Sequence, residues 1–242
     1  MYEPRTYRHW IECRDLIPFS VTVKETDLYI RATSNLQRKA RRLVLKYRQQ
    51  LEKYIEQNPT FLTSLEPIPV STHASGIVQE MTEAAQKVGV GPMAAVAGAI
   101  AEFVGRELLD FSPEIIVENG GDIYLKSLTK RTVGIFAGKS PLTGKIGLEI
   151  SAGDTPLGIC TSSGTVGPSL SFGKADAVVV LSPSATLADA AASAIGNQVK
   201  QATDITGAIE LTKSISGLKG VIIIKDENIG VWGEVKLCET SV

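Results

Sequence analysis

The feature that most constrains how this 242-residue chain folds is the placement of its smallest side chains. Gly, Ala and Ser crowd four stretches: 89–101, 119–122, 158–173 and 184–196. Residues without bulk let one backbone approach another, or a ligand, closely. Aromatic residues make up only 6% of the chain, so flat stacking surfaces are few. Such a pattern calls for helices pressed hard onto a sheet, with short turns between strands.

The bulk composition sets the class. With 43% hydrophobic and 21% charged residues the chain is too apolar for a disordered one and lacks the repeats of a coiled coil or collagen. One globular unit over 1–242 is expected, with the strand–helix segment 1–60 as an integral extension. The net charge of -1 gives no reason to expect nucleic acid or an anionic membrane as partner. Residues 1–56 carry 12 Lys/Arg against 7 Asp/Glu, and the basic excess sits on Arg38–Arg48, which reads as a solvated helix face. No apolar run approaches the ~20 residues of a membrane helix, and MYEPRTYRHW lacks the apolar core of a signal peptide. Three dispersed cysteines and two histidines argue against structural zinc. A reducing, cytoplasmic location is the default expectation.

Periodicity places the elements. Residues 18–32 alternate in two bursts around Lys24–Asp27, as a strand pair does. A helix should start at Ser34, with Gln37 in a capping-box position, and bury Leu36, Ala40, Leu43, Tyr47, Leu51 and Tyr54. Residues 60–75 form a Pro/Ser/Thr-rich loop and the best candidate for an internal joint. Helices over Ile77–Val88, closed by Gly89, and Met93–Leu109, opened by Gly91-Pro92, follow. Strands are then expected at Glu114–Glu118, Ile123–Lys126, Thr132–Ala137, Ile146–Ser151, Leu157–Thr161 and Ala175–Leu181, the last central. Helices from Ser184 and over Ile205–Ile215 precede a hairpin around Asp226-Glu227-Asn228. Helices and strands are grouped rather than strictly alternating, which favours an α+β fold with a mainly antiparallel sheet packed against helices.

Four segments carry groups suited to chemistry. Asn119-Gly120-Gly121-Asp122 offers backbone N–H groups to an anion or a ring edge, and is equally a common hairpin turn. Ser162, Ser163, Gly164 and Thr165 follow a strand and have the composition of a phosphate nest, although no P-loop lysine follows. Asp189 and Ser193 are four apart and share a helix face, where a carboxylate and a hydroxyl can hold Mg²⁺; Asp near a helix start also simply complements the dipole. Cys160 precedes the hydroxyl loop, and a thiol beside such donors would be nucleophilic if its pKa were depressed.

Taken in order, GPMAAVAGAIAEFVG, VENGGDIYL, GICTSSGTVGPSLSFGKADAVVV and LADAAASAIGN resemble the ApbE superfamily, in particular its uncharacterised, cytoplasmic, single-domain branch in anaerobic bacteria and archaea. The superfamily's transferases bind FAD, use Mg²⁺ and attach FMN to a Thr or Ser of a target protein. The resemblance implies that Gly120, Gly121 and Asp122 match a Gly-Gly-Asp turn beside the flavin, and that Ser163-Gly164 match a Ser-Gly turn. It implies metal ligands at Asp189 and Ser193, with a backbone carbonyl near Gly98 or Ala99. Two departures stand out. The Lys-Gly pair of the transferases is Glu102-Phe103 here, and their His-x-Ile-Asp-Pro segment has no counterpart. Both work against diphosphate binding and FMN-transferase activity.

The expectation is therefore an ApbE-like protein with a cleft for FAD, FMN or another nucleotide, assisted by Mg²⁺. Asn119, Gly120, Gly121, Asp122, Ser162, Ser163, Gly164 and Thr165 would contact the ligand. Asp189, Ser193 and the Gly98 backbone would hold the metal. A small-molecule nucleotide, a protein partner and a second copy of the chain are the expected partners. The rival expectations are a sulfur-assimilation accessory protein carrying a persulfide on Cys160, and a non-catalytic scaffold.

Overall fold

Three strands carry apolar residues on both faces, so both faces need a cover. The computed structural model describes residues 8, 10, 11, 13, 15–166 and 171–240. In it Ile115–Asn119 (β3), Ala177–Ser182 (β8) and, but for its last residue, Gly220–Lys225 (β9) are buried along their length. They lie inside an eight-stranded, wholly antiparallel sheet. Its order runs β1 (Ile17–Val23), β2 (Thr26–Ala32), β3, β4 (Asp122–Lys126), β7 (Leu157–Ser162), β8, β9 and β10 (Asn228–Gly233). A second sheet orders β11 (Leu237–Glu239), β6 (Ile146–Ile150) and β5 (Arg131–Gly134). The α+β class and antiparallel sheet expected from the sequence are what the chain forms.

The period of two divides the apolar residues between two cores. Val178, Val180, Val221 and Ile223 face the helices, with Ile115 and Val117. Ala177, Val179, Leu181, Ile222 and Ile224 face the small sheet, where Val133, Ile135, Leu148 and Ile150 meet them. The molecule is thus three layers: helices, large sheet, small sheet. The helical layer comprises α1 (Gln37–Gln57), α2 (Thr60–Thr63), α3 (Gly76–Val88), α4 (Val96–Leu108), α5 (Ala185–Gln198) and α6 (Ile205–Ser214). Among the described residues no single helix is long and apolar enough to cross a membrane.

Several expectations are corrected in detail. α1 starts at Gln37, not at Ser34, and has no capping box. Instead Asn35 Oδ1 accepts the Gln37 N–H at 3.0 Å, while the Gln37 side chain donates to Ser20 O at 2.8 Å. The side chain that would have closed the box is drawn onto β1. Residues 60–75 are anchored rather than loose at their start, because fully buried Phe61 packs edge-on against Tyr54 at 5.1 Å. The helix expected from Met93 opens as a 3-10 turn, Pro92–Ala95. β11 was not anticipated: Leu-Cys-Glu is too short to show a period.

Two glycines set how closely α5 approaches. A Cβ on Gly158, in β7, would lie 2.6 Å from Ala185 N at the start of α5. A Cβ on Gly98, in α4, would lie 2.7 Å from Asp189 Cβ. Helix α5 therefore rests on bare backbone on both sides. Gly158→Ala should cost about 1–3 kcal/mol of stability through overpacking, read by urea denaturation; unchanged stability would contradict this packing.

Candidate functional site

Helix α4 begins with small residues and no side-chain cap, so its first N–H groups need partners from elsewhere. They find Asp189. The Gly98 N–H donates to Asp189 Oδ2 at 2.8 Å, and the Ala97 N–H bonds the same carboxylate. Helix α5 receives the reverse service from α4. Glu102 Oε2 accepts from Thr186 N at 2.9 Å, Thr186 Oγ1 at 2.8 Å and Ser184 Oγ at 3.0 Å. Ser184 in turn caps the Leu187 N–H. Arg106, one turn on, bonds the other Glu102 oxygen. Each helix thus caps the other with a carboxylate, an anion placed at the positive end of a helix.

The β3–β4 turn closes over this pair. Gly120 and Gly121 have φ of 69° and 108°, the primed hairpin geometry that glycine adopts without strain. Space lies open above both Cα atoms. Asn119 Nδ2 donates to Ala97 O at 3.0 Å, tying the turn to the first turn of α4. The Gly121 N–H donates to Glu118 Oε1 at 2.8 Å. Asp122 Oδ1 accepts the Thr161 N–H at 3.2 Å, which joins the turn to the end of β7. The structure therefore brings Asn119, Asp122, Gly98 and Asp189 together. Ser193, also half-buried, lies one turn beyond Asp189 on the same face of α5.

The electrostatics of this group are unusual. Burial, and next the nearby Asp189 charge, push Asp122 well above the ordinary aspartate range. Burial pushes Asp189 up to about 7, against the opposing pull of the Gly98 and Ala97 N–H groups. Among the described residues neither carboxylate is ion-paired with Lys or Arg. Buried acids in this state hold a proton or call for a cation. Among the described residues no three His, Cys, Asp or Glu groups gather around one point, so a cation here would rest on two carboxylates plus hydroxyl, carbonyl and ligand oxygens.

The hydroxyl loop is built differently from the nest the sequence suggested. The Ser163 hydroxyl accepts from Thr165 N at 3.1 Å and Val166 N at 3.0 Å, closing its own turn. Thr165 Oγ1 donates to Asp176 Oδ1 at 3.2 Å. A Cβ on Gly164 would lie 2.7 Å from Gly173 C, so this turn is stacked on the loop that follows it. Ser162 ends β7 beside Gly196 of α5. A depressed thiol pKa, the condition for a nucleophilic Cys160, is not what the fold provides. Its side chain is wholly buried, its Sγ donates to Ala185 O at 3.3 Å, and burial together with the Asp122 and Asp189 charges pushes the thiol up. A low dielectric and two acidic neighbours disfavour the thiolate.

Sequence reasoning missed Glu102 as a cap. Its signal was present: a lone acid among small and apolar residues on a helix has to be paired when buried. Replacing Glu102 by Ala leaves the Thr186 donors unmet and should cost about 1–3 kcal/mol in chemical denaturation, where a free surface acid would cost nothing. Asp189 gives a pH signature. Between the ordinary aspartate pKa of 3.8 and about 7 the folded state holds a proton that the unfolded chain has released. Stability therefore falls as pH rises through that window. In EDTA the contribution should vanish in Asp189→Asn, whose stability should be flatter with pH than that of the native chain; parallel curves would refute the shift.

Comparison with known proteins gives the chain its family and its fold. The chain matches the family described as AbpE bacteria over residues 8–219. A UPF0280 protein of Methanosarcina acetivorans is 42% identical over 200 residues, 81% of this chain and 78% of the relative. One from Methanococcus aeolicus is 40% identical over 229 residues, 91% of each chain. The flavin transferase ApbE from Vibrio cholerae superposes with a TM-score of 0.56 at 14% identity, covering 90% of this chain and 96% of that one. The ApbE protein of Thermotoga maritima gives 0.55 at 12% identity, covering 89% and 96%. At such identities the structural likeness establishes the fold, and the match over 8–219 establishes the kinship: the chain belongs to the AbpE bacteria family, with the fold of the ApbE flavin transferases.

Proposed function

We infer that this protein binds a flavin nucleotide, FAD or FMN, with Mg²⁺, in the cleft between the β3–β4 turn and the starts of α4 and α5. One observation carries this function: Asp122, buried, and Asp189, half-buried, lie within electrostatic reach of each other, with no Lys or Arg paired to either among the described residues. Two such acids favour a divalent cation between them. The donors within reach are hard oxygens: the two carboxylates, the Ser193 hydroxyl and the carbonyls of the first turn of α4 around Gly98. That set suits Mg²⁺, which keeps a few carboxylates and completes its shell with water and phosphate. When bound, Mg²⁺ would supply neutralisation of phosphate charge.

The chain's own groups have distinct parts in this scheme. Asp122 is fixed by the Thr161 N–H and Asp189 by the Gly98 N–H, so both acids are preorganised before any ligand arrives. Gly120 and Gly121 leave open space above the turn, where a ligand can meet bare backbone. Ser162, Ser163, Gly164 and Thr165 form the wall beyond the end of β7. Glu102 stands where the transferases carry a cation, yet it does not present a free anion to a phosphate, because Arg106 and the start of α5 engage both its oxygens. Binding is thus favoured ahead of transfer, since the histidine segment of the transferases has no counterpart here. The persulfide and scaffold alternatives have no observation in their favour, and Cys160 is enclosed.

Calorimetric titration of the purified protein tests this directly. FAD or FMN should bind more tightly with Mg²⁺ than with EDTA, and Asp189→Ala should remove the difference. Absence of any heat with either flavin at millimolar concentration would overturn the assignment.

A further inference from the structure

Asp189, Ser193 and Asn197 are each four residues apart, so they line one face of α5 in a row. From Asp189 to Asn197 the helix rises ~12 Å. At the far end of this row lies a short loop whose backbone is pinned in three ways. The Phe172 N–H donates to Asn197 Oδ1 at 3.0 Å. Lys200 Nζ donates to the Phe172 carbonyl. A Cβ on Gly173 would lie 2.7 Å from Gly196 C, so the loop rests flat on the end of the helix. Phe172 itself is 52% exposed. A fixed backbone that holds an apolar ring in water is costly for stability and well suited to binding. The ordering cost of the loop is met before a ligand arrives, and the ring face stays free. Among the described residues Phe111 is the other strongly exposed ring, and it is covered by Lys39 Nζ at 3.7 Å, whereas Tyr47, Phe61 and Tyr124 are buried in the core.

We propose that Phe172 is the ring contact of the cleft: it stacks on the planar isoalloxazine of a flavin whose phosphate lies at the Asp122–Asp189 end. This rests on the flavin-binding function argued above and deepens it. The length of α5 between the two ends matches a chain molecule with a charged phosphate at one end and a flat apolar ring at the other, joined by a five-carbon ribityl. Ser193 and Ser162, between the ends, face the hydroxylated middle of such a molecule. The same ruler gives specificity. A ligand with the phosphate alone would use one end only.

The test compares FMN and inorganic pyrophosphate, each with Mg²⁺, on the native chain, Phe172→Ala and Phe172→Trp. Phe172 is exposed, so neither substitution threatens folding. FMN fluorescence should be quenched on the native chain. Phe172→Ala should bind FMN roughly tenfold or more weakly, in line with the loss of one ring–aromatic stack, and lose the quench. Phe172→Trp should restore both. Pyrophosphate affinity should be the same in all three. The proposal is overturned if Phe172→Ala binds and quenches FMN as the native chain does. It is also overturned if pyrophosphate affinity falls in step with FMN affinity, since the loop would then act through its shape alone. If the native chain binds pyrophosphate but no flavin, the flavin function itself falls, and Phe172 with it.

Discussion

The arrangement around Asp189 depends on two carboxylates exchanged between neighbouring helices. Asp189 leaves α5 to cap α4, and Glu102 leaves α4 to cap α5. Neither helix has to end its N-terminus in water, so both starts can be buried against the sheet. The exchange needs the helices to be close, and Gly98 provides that closeness. It also needs Glu102 to be neutralised, which Arg106 provides. Remove any of these and Asp189 loses the position from which it faces Asp122. The small residues that mark the sequence are therefore part of an electrostatic arrangement, and not only a device for packing.

The same exchange changes the meaning of a sequence departure. On sequence grounds an acid at position 102, where flavin transferases have a cation, opposes a phosphate. In the fold that acid is turned away, occupied by Thr186, Ser184 and Arg106. Charge at a position says little until the partners of the side chain are known. What the departure does remove is a positive group from that position; in the proposed function a metal at the two aspartates takes over the work of holding phosphate.

Much of the architecture was legible in the sequence because it rests on strong local signals. The antiparallel sheet follows from period-two strands joined by glycine turns, and the Gly89 end of α3 from a glycine at φ 75°. The folded chain sets Asn119, Asp122, Gly98 and Asp189 close together. Features set by tertiary contacts were not legible. The start of α1 moved because Gln37 found Ser20 on another element. The Cys160 thiol is pushed up by burial and by acids on neighbouring elements, which no local pattern reveals. The hydroxyl loop looked like a nest in composition, yet its donors and acceptors satisfy each other. The three-stranded sheet escaped because β11 comes from the far end of the chain.

The central claim is that Asp122, held by the end of β7, and Asp189, held by the start of α4, form the floor of a proposed phosphate-bearing ligand site with a divalent cation. The most direct measurement is a crystal structure grown with FMN and Mn²⁺, which takes the place of Mg²⁺ and scatters anomalously. The account predicts one strong anomalous peak between Asp122 and Asp189, with the phosphate beside it and the ring toward Phe172. Manganese bound elsewhere, with the two carboxylates still enclosed and metal-free beside a bound flavin, would contradict it.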